Sequence, residues 1–424
     1  MNDSLDLRDI VVERRRRSRE QHRKTHLFNG LSLRVDDGEI VAVAGPEGFG
    51  GTTLARLVAG VAAPDSGRIL INGVDMTDTP ADRRPVGLIG LGGGLLPQLT
   101  AEENITYGLR LRGEPRVFVR HRRDDVAKAL ELLPSLALRP HQLSAGQRIR
   151  VSLGRAMAGS AHTIAIDATA GSEGLGQLRD LVGRARRMAT SVVMVATHDP
   201  TVVGQADRVV VIRDGRAGPA GSPAQLRAAP PDLVTARLVL TDPVTELTGV
   251  VSDGRLLLSW LRLPCPPGVP DGRRVTALFT ATAVEIGPAP PAVSPVPLTG
   301  PPAVSPAPLT APPAVSPVPL STTMDAHSSI SDDKLDPGRE SAPDGAGPEW
   351  IPGRITTVDW VAGSPRVRAE LLESPSLRLP AHPVTGDRPR SGDRVGLRVD
   401  PARLFIYDRD AEPYRLLAGP GARR

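Results

Sequence analysis

The sequence predicts an α/β domain with a mostly parallel sheet, followed by a small all-β module that a proline-rich spacer interrupts. Three observations carry this reading. Between Gly30 and about Leu240, short apolar β-branched runs alternate with segments of helical length. After about Thr241 the runs become short strands set off by glycine turns. Within that second part, Pro290-Pro291-Ala292-Val293-Ser294-Pro295 returns at Pro301 and again at Pro312, a period of 11 residues. Alternating strands and helices suit a parallel sheet covered on both faces. Repeated proline favours extended polyproline II and forbids a packed core.

Each element follows from a local pattern. Ile40-Val41-Ala42-Val43-Ala44 is a short buried strand that runs into a glycine-rich loop. Thr163-Ile164-Ala165-Ile166, Val192-Val193-Met194-Val195 and Val209-Val210-Val211-Ile212 read the same way. Thr100 followed by Glu103 is a capping box that opens a helix. In the second part, Gly249-Val250-Val251, Arg255-Leu256-Leu257-Leu258 and Val275-Thr276-Ala277-Leu278 are short strands, and strands resume at Ile355. Residues 392–406 echo residues 272–286, with Gly, Arg and Val near the start and Ile at the end. These two segments read as halves of one small β-barrel. The resulting boundaries are a basic leader over 1–25, the α/β domain over 26–240 and a first half-barrel over 241–287. A linker over 288–347 and a second half-barrel over 348–424 complete the chain.

Composition sets the outer limits. A length of 424 residues implies two to three domains. The chain has 43 glycines and 43 prolines, about a fifth of its residues, so part of it must be linker. Aromatic residues are only 3 %, which argues against stacking platforms for single-stranded nucleic acid, and no nucleic-acid partner is expected. A lone cysteine, Cys265, excludes an internal disulfide framework and a cysteine zinc cluster. No apolar run reaches the length of a membrane span, and the first residues lack a signal pattern. The expectation is a soluble, intracellular chain. Its formal charge of +5 is matched by the stretch from Val12 to Thr25 alone, where Arg14 to Arg17, Arg19, Arg23 and Lys24 outnumber Glu13 and Glu20. That stretch could bind anionic lipid or nucleic acid, and it reads first as a solvated or partly disordered leader.

The chemistry sits in the first part. Gly45-Pro46-Glu47-Gly48-Phe49-Gly50-Gly51-Thr52-Thr53 lies between a strand and a helix, where a phosphate-binding loop belongs. Glycines there let backbone N–H groups wrap an anion at a helix N-terminus, and a threonine hydroxyl can ligate Mg²⁺. Leu143-Ser144-Ala145-Gly146-Gln147, followed by the helical run from Arg148 to Ala156, resembles the signature of the ATP-binding-cassette (ABC) ATPases. Ile164-Ala165-Ile166-Asp167 matches their acid-ended strand, and Ala196-Thr197-His198-Asp199 matches their switch histidine. The resemblance spans about 26–240 in the family's order. Residues 391–408 look like the regulatory barrel, called TOBE, of sugar-importer ATPases of the maltose and glycerol-phosphate type.

The resemblance implies a P-loop fold with a helical subdomain that binds ATP and Mg²⁺ between two cassettes, beneath a membrane permease. The nucleotide would lie on Gly45, Gly48, Gly50, Gly51, Thr52 and Thr53, with Thr52 and Asp167 on the metal and His198 in the catalytic role. Ser144, Ala145, Gly146 and Gln147 would form the signature. Partners would be a second ABC ATPase subunit, identical or not, and permease subunits, with the chain peripheral on the cytoplasmic face of the membrane.

Several positions depart from the family. Gly51 stands where the loop lysine belongs, and Glu47 adds a carboxylate to the loop. Ala168 follows Asp167 where a catalytic glutamate should polarise water, and Leu91 replaces the glutamine of the following loop. Residues 171–174 replace the segment that couples the cassettes, and the nearest ring to the adenine-stacking position is His22. The expected function is therefore a degenerate importer ATPase subunit that lends its signature to an intact partner cassette. Two other readings stand beside it: an active ATPase homodimer, and a non-catalytic regulator or scaffold.

Overall fold

The buried β-branched runs pair into a six-stranded sheet. Its order is Arg216–Gly221, Arg208–Arg213, Ile40–Ala44, Val192–Thr197, Thr163–Ala168 and Val86–Ile89. The five strands from Arg208–Arg213 to Val86–Ile89 are parallel, and Arg216–Gly221 is an antiparallel edge. The computed structural model describes residues 4–14, 25–90, 94–159, 161–171, 173–186, 192–242, 244–258, 261–288, 351–361, 364–371, 374–383, 390–411 and 415–420. Ile40–Ala44 and Val192–Thr197 are buried at every position, because the sheet is covered on both faces. One face packs under helices Ala101–Leu111 and Ala145–Ala158. The other packs under helix Gly51–Val58 and a second sheet.

That second sheet corrects the leader assignment. Ser4–Arg14, inside the expected leader over 1–25, is a strand between Thr25–Asp36 and Ser66–Ile71, with Val74–Asp75 at the edge. Leu5, Leu7 and Ile10 are at most 1 % exposed. The alternation Leu5-Asp6-Leu7-Arg8 is a strand pattern, and reading the charge of the following residues as the dominant signal concealed it. The phase changes at a bulge, where Asp9 takes φ 50° and Gly67, at φ 99°, lies against the Arg8 and Asp9 carbonyls. A side chain at Gly67 would collide with that backbone. The basic residues 15–24, with His22, lie outside the described residues.

The C-terminal strands form two units. One is a six-stranded antiparallel sheet in the order Leu261–Pro264, Arg255–Leu258, Thr245–Ser252, Arg274–Phe279, Phe405–Asp408, Arg415–Ala418. The other is a closed barrel of Val284–Pro288, Ser374–Pro383, Ser364–Leu371, Ile351–Val361 and Arg394–Val399. Both draw strands from either side of the proline-rich stretch, and one apolar cluster joins them. The echoing segments pair with each other about a pseudo-twofold axis: Val275↔Asp408 to Leu278↔Phe405, and Val284↔Val399 to Pro288↔Val395. Pro288 ends a strand, and the rest of the expected linker lies outside the described residues.

Helix Leu233–Val239 connects the parts. Asp232 caps it, accepting from Thr235 N at 2.8 Å, and pairs with Arg213 at 3.1 Å. Leu233 and Ala236 pack on Leu278, Phe405 and Tyr407.

Candidate functional site

The site grows from one rung of the parallel sheet. Thr197 is in register with both Ala44 and Ala168, so Gly45, His198 and Thr169 leave the sheet side by side. Ile89 is in register with Ile166, which puts Gly90 beside Asp167. Ligands of open α/β sheets bind at this carboxyl edge. The expected strand–loop–helix is present: Ile40–Ala44, the loop, then helix Gly51–Val58 with Gly50 as a left-handed N-cap at φ 101°. Arg84 anchors the far end of that helix, donating to the carbonyls of Leu57, Val58, Thr77 and Thr79 at 2.6 to 3.1 Å. Burial holds its guanidinium below the ordinary arginine value.

The loop is occupied by its own side chain. Phe49, held by its N–H on the Pro46 carbonyl at 3.0 Å, spans the loop from Gly45 to Gly51. A Cβ on Gly51 would lie 2.6 Å from Phe49 Cζ, 2.4 Å from the Thr169 methyl and 3.1 Å from Ala196 Cβ. A lysine stem at this position would start inside those atoms, so the residues present do not accommodate the family's phosphate-binding cation. Phe49 is a site residue that sequence reading missed. Its signal was available, since a large ring inside a glycine loop is itself anomalous.

Thr52 and Asp167, the two residues that the resemblance assigns to Mg²⁺, are likewise joined within the protein. Thr169 Oγ1 donates to Asp167 Oδ1 at 2.6 Å and Thr169 N donates to the same oxygen at 3.2 Å. Thr52 Oγ1 is 3.0 Å from Thr169 Oγ1. Because Thr169 spends its one hydroxyl proton on Asp167, Thr52 is the donor in that contact. A hydrogen-bonded chain Thr52–Thr169–Asp167 thus links the two. Thr169 was also missed, having no motif signal of its own. Among the described residues no cluster of three His, Cys, Asp or Glu could hold a metal ion. Ala168 is buried against the helical face, His198 is exposed, and Glu47 and Glu173 are exposed. Leu91 and Ser172 lie outside the described residues.

The second helix N-terminus differs. Ser144 is exposed and caps helix Ala145–Ala158: its Oγ accepts from Gln147 N, while Gln147 Oε1 accepts from Ser144 N at 2.8 Å. Gln147 Nε2 also donates to Ser135 Oγ at 3.0 Å, which fixes the cap to the body of the protein. A Cβ on Gly146 would meet nothing within 4 Å. The side-chain position of Gly146 therefore faces open space, and the first N–H groups of the helix have no partner within it, an arrangement suited to an anion. Gly174, at φ 86°, lies against the Ala145–Gly146 peptide, and Ala145 shares a cleft of about 220 Å³ with Asp167, Gly90 and Arg148.

Comparison with known proteins adds the following. Residues 28–170 match the family model described as ABC transporter. The chain is 35 % identical, over 62 % of its length and 76 % of the relative's, to the Fe(3+) ions import ATP-binding protein FbpC of Streptomyces coelicolor. It is 32 % identical, over 57 % of its length and 66 % of the relative's, to the spermidine/putrescine import ATP-binding protein PotA of Acidothermus cellulolyticus. It is also 32 % identical, over 57 % of its length and 68 % of the relative's, to the sn-glycerol-3-phosphate import ATP-binding protein UgpC of Yersinia enterocolitica. The chain thus spans about two thirds to three quarters of the length of these relatives. Among solved structures, cbiO1 from Clostridium perfringens, part of the ABC transporter complex cbiONQ, is similar with a TM-score of 0.46 and 22 % identity. That likeness covers 54 % of this chain and 92 % of the other.

Proposed function

This chain belongs to the ABC transporter family, and from that premise we propose that it serves an importer as a cassette with one closed and one working half-site. Its own loop is the closed half. The signature end of helix Ala145–Ala158 is the working half, and it completes the nucleotide site of a partner cassette. The observation that carries this reading is the contrast between Gly51, whose surroundings are filled by Phe49 and Thr169, and Gly146, which faces open space.

The chemistry follows from that contrast. Ser144 Oγ–H and the N–H groups of Ala145 and Gly146 donate towards the terminal phosphate held in the partner's loop. Donors fixed before the reaction stabilise charge that develops in the transition state, and removal of one such donor typically costs ~10²–10³-fold. At its own loop the chain supplies no lysine, and Ala168 supplies no base. Partners are the second cassette and permease subunits, with the chain peripheral on the inner face of the membrane; among the described residues no helix is long and apolar enough to cross it. The relatives' names cover iron, polyamine and glycerol-phosphate import. The TOBE-like pattern of 391–408 favours carbohydrate-type uptake within that range.

The test is titration of the purified chain with a fluorescent ATP analogue and Mg²⁺, alongside ATPase assays with and without an intact partner cassette. Expected are no saturable binding by the chain alone and turnover only in the mixed complex. Turnover by the chain alone near ~1 s⁻¹, an ordinary enzyme rate, would overturn the closed half-site and favour an active homodimer.

A further inference from the structure

A Cβ on Gly174 would lie 2.8 Å from both the carbonyl carbon and the oxygen of Ala145, and 2.9 Å from Gly146 N. At that range, near-equal distances to three bonded atoms of one flat peptide are possible only above its face. Gly174 therefore bears on the plane of the Ala145–Gly146 peptide and not on the edge that carries Gly146 N–H. Its φ of 86° is a second, independent reason for glycine at this position. Gln147 ties the same turn to Ser135 at 3.0 Å. Two separate parts of the chain thus hold the first turn of the signature helix.

Gly174 is fixed in turn by a side chain that is remote in sequence. Leu175 is buried in the main core, and its carbonyl accepts from Gln205 Nε2 at 2.9 Å. Gln205 Oε1 accepts from Arg179 N at 3.3 Å, at the start of helix Leu178–Arg186. Arg179 returns the contact: its guanidinium donates to Gln205 O at 3.0 Å and to Ala206 O at 3.1 Å, and pairs with Asp207 at 3.0 Å. Asp207 accepts from Ile40 N at 2.9 Å, which ends this series of contacts on the central parallel sheet. The Gln205 amide thus spends both its groups on residues 175–179, and Gly174 adjoins them.

We infer that Gln205 and Arg179 are positioning residues for the signature end of the helix. They fix residues 174–179, Gly174 seats the Ala145–Gly146 peptide, and the seat aims the N–H groups of that turn. The inference rests on the proposed function and names the residues of this one chain that make its working half rigid. Donors stabilise a transition state only when they are held in place before the reaction, and a misplacement of about 1 Å can cost ~10²-fold. Loss of the seat should therefore lower turnover at saturating ATP. KM should stay near the parent value, because the partner's own loop holds the nucleotide.

The first measurement uses the full chain alone. Amide hydrogen exchange is read at Gln147, whose N–H closes the Ser144 cap, against Glu103, whose N–H closes the equivalent Thr100 cap. In Q205A, exchange at Gln147 should quicken by on the order of 10-fold, with Glu103 unchanged. R179Q should act in the same direction more weakly. It alters a side chain that is 59 % exposed, so it tests the same contacts if Q205A does not fold. Unchanged exchange at Gln147 in the folded variants, or an equal rise at both caps, would overturn the inference. The second measurement is ATPase of each variant in a mixed complex with an intact partner cassette. Expected is a kcat lower by about 10-fold or more with KM within about two-fold of the parent. A raised KM with kcat unchanged would overturn the positioning role. Faster exchange at Gln147 with both constants unchanged would support the seat and overturn the partner-site reading on which its function rests.

Discussion

Two helix N-termini in this chain start from similar material and end differently. Helix Gly51–Val58 begins after Gly48 and Gly50, and helix Ala145–Ala158 is capped by Ser144 with Gly146 as its second residue. Both leave backbone N–H groups without partners in the helix. At the first, Phe49 and the Thr169 methyl fill the approach to Gly51; at the second, nothing lies within 4 Å of where a Gly146 side chain would start. A glycine-rich helix start is therefore only a potential anion site. What decides its use is the tertiary neighbourhood, and here that neighbourhood favours the signature end.

The largest effect that would break the contrast is at Ser144. In a complex with an intact cassette, Ser144→Arg puts a long cation into the open approach and removes the hydroxyl donor. Turnover should fall by ~10²-fold or more, measured as ATPase of the mixed complex against the parent mixture. Unaltered turnover would remove the working half from this chain and leave the scaffold reading ahead.

The loop offers the converse change. Gly51→Lys alone forces its stem into Phe49 and Thr169, and overpacking of this kind costs about 1–3 kcal/mol. The variant should melt at lower temperature and gain no ATP affinity. F49A/G51K should recover much of the melting temperature and show measurable binding of the ATP analogue. If both variants bind equally well, the ring is not what closes the loop.

Thr169 is the next step down. Thr169→Val keeps the shape while removing the hydroxyl between Thr52 and Asp167. The site is half-buried, so the expected loss is about 1 kcal/mol, read from urea unfolding. A Thr169→Val protein as stable as the parent would mean that water replaces the chain without cost.

How far the sequence reveals these features differs from element to element, for physical reasons. Ile40–Ala44 and Val192–Thr197 are legible because a strand buried on both faces must be apolar throughout. The Thr100 and Ser144 caps are legible because capping is local. Ser4–Arg14 is hard to see as a strand because its two leucines alternate with charges just before a strongly basic run. In the loop the missing lysine is plain in the sequence, whereas the geometry turns on the phenylalanine present and on Thr169, which is distant in sequence. The echo between 272–286 and 392–406 was visible, but strand pairing about a twofold axis is a property of the folded chain.

The smallest predicted effect compares the two capped helices of the helical face. Helix Ala101–Leu111 is closed by Thr100 and Glu103, and helix Ala145–Ala158 by Ser144 and Gln147. The geometry is the same, but only Glu103 titrates. The hydrogen bond from Thr100 N, at 2.8 Å, holds the Glu103 carboxyl below its ordinary value of 4.5. A carboxyl whose folded value is depressed contributes its stability in full above the unfolded value, and that contribution is lost as pH falls from there through the folded value. Below pH 4.5 the Thr100 cap should therefore loosen while the Gln147 cap does not. Other carboxylates also titrate there, Asp75 and Asp410 among them, both held low by hydrogen bonds. The clean measurement is the difference in melting temperature between the parent and Glu103→Gln, followed from pH 7 to pH 3. The parent's advantage should be greatest at neutral pH and shrink as pH drops below 4.5. A difference that stays constant over that range would mean that the Glu103 charge adds nothing to the cap, and that the two capped helices are equivalent after all.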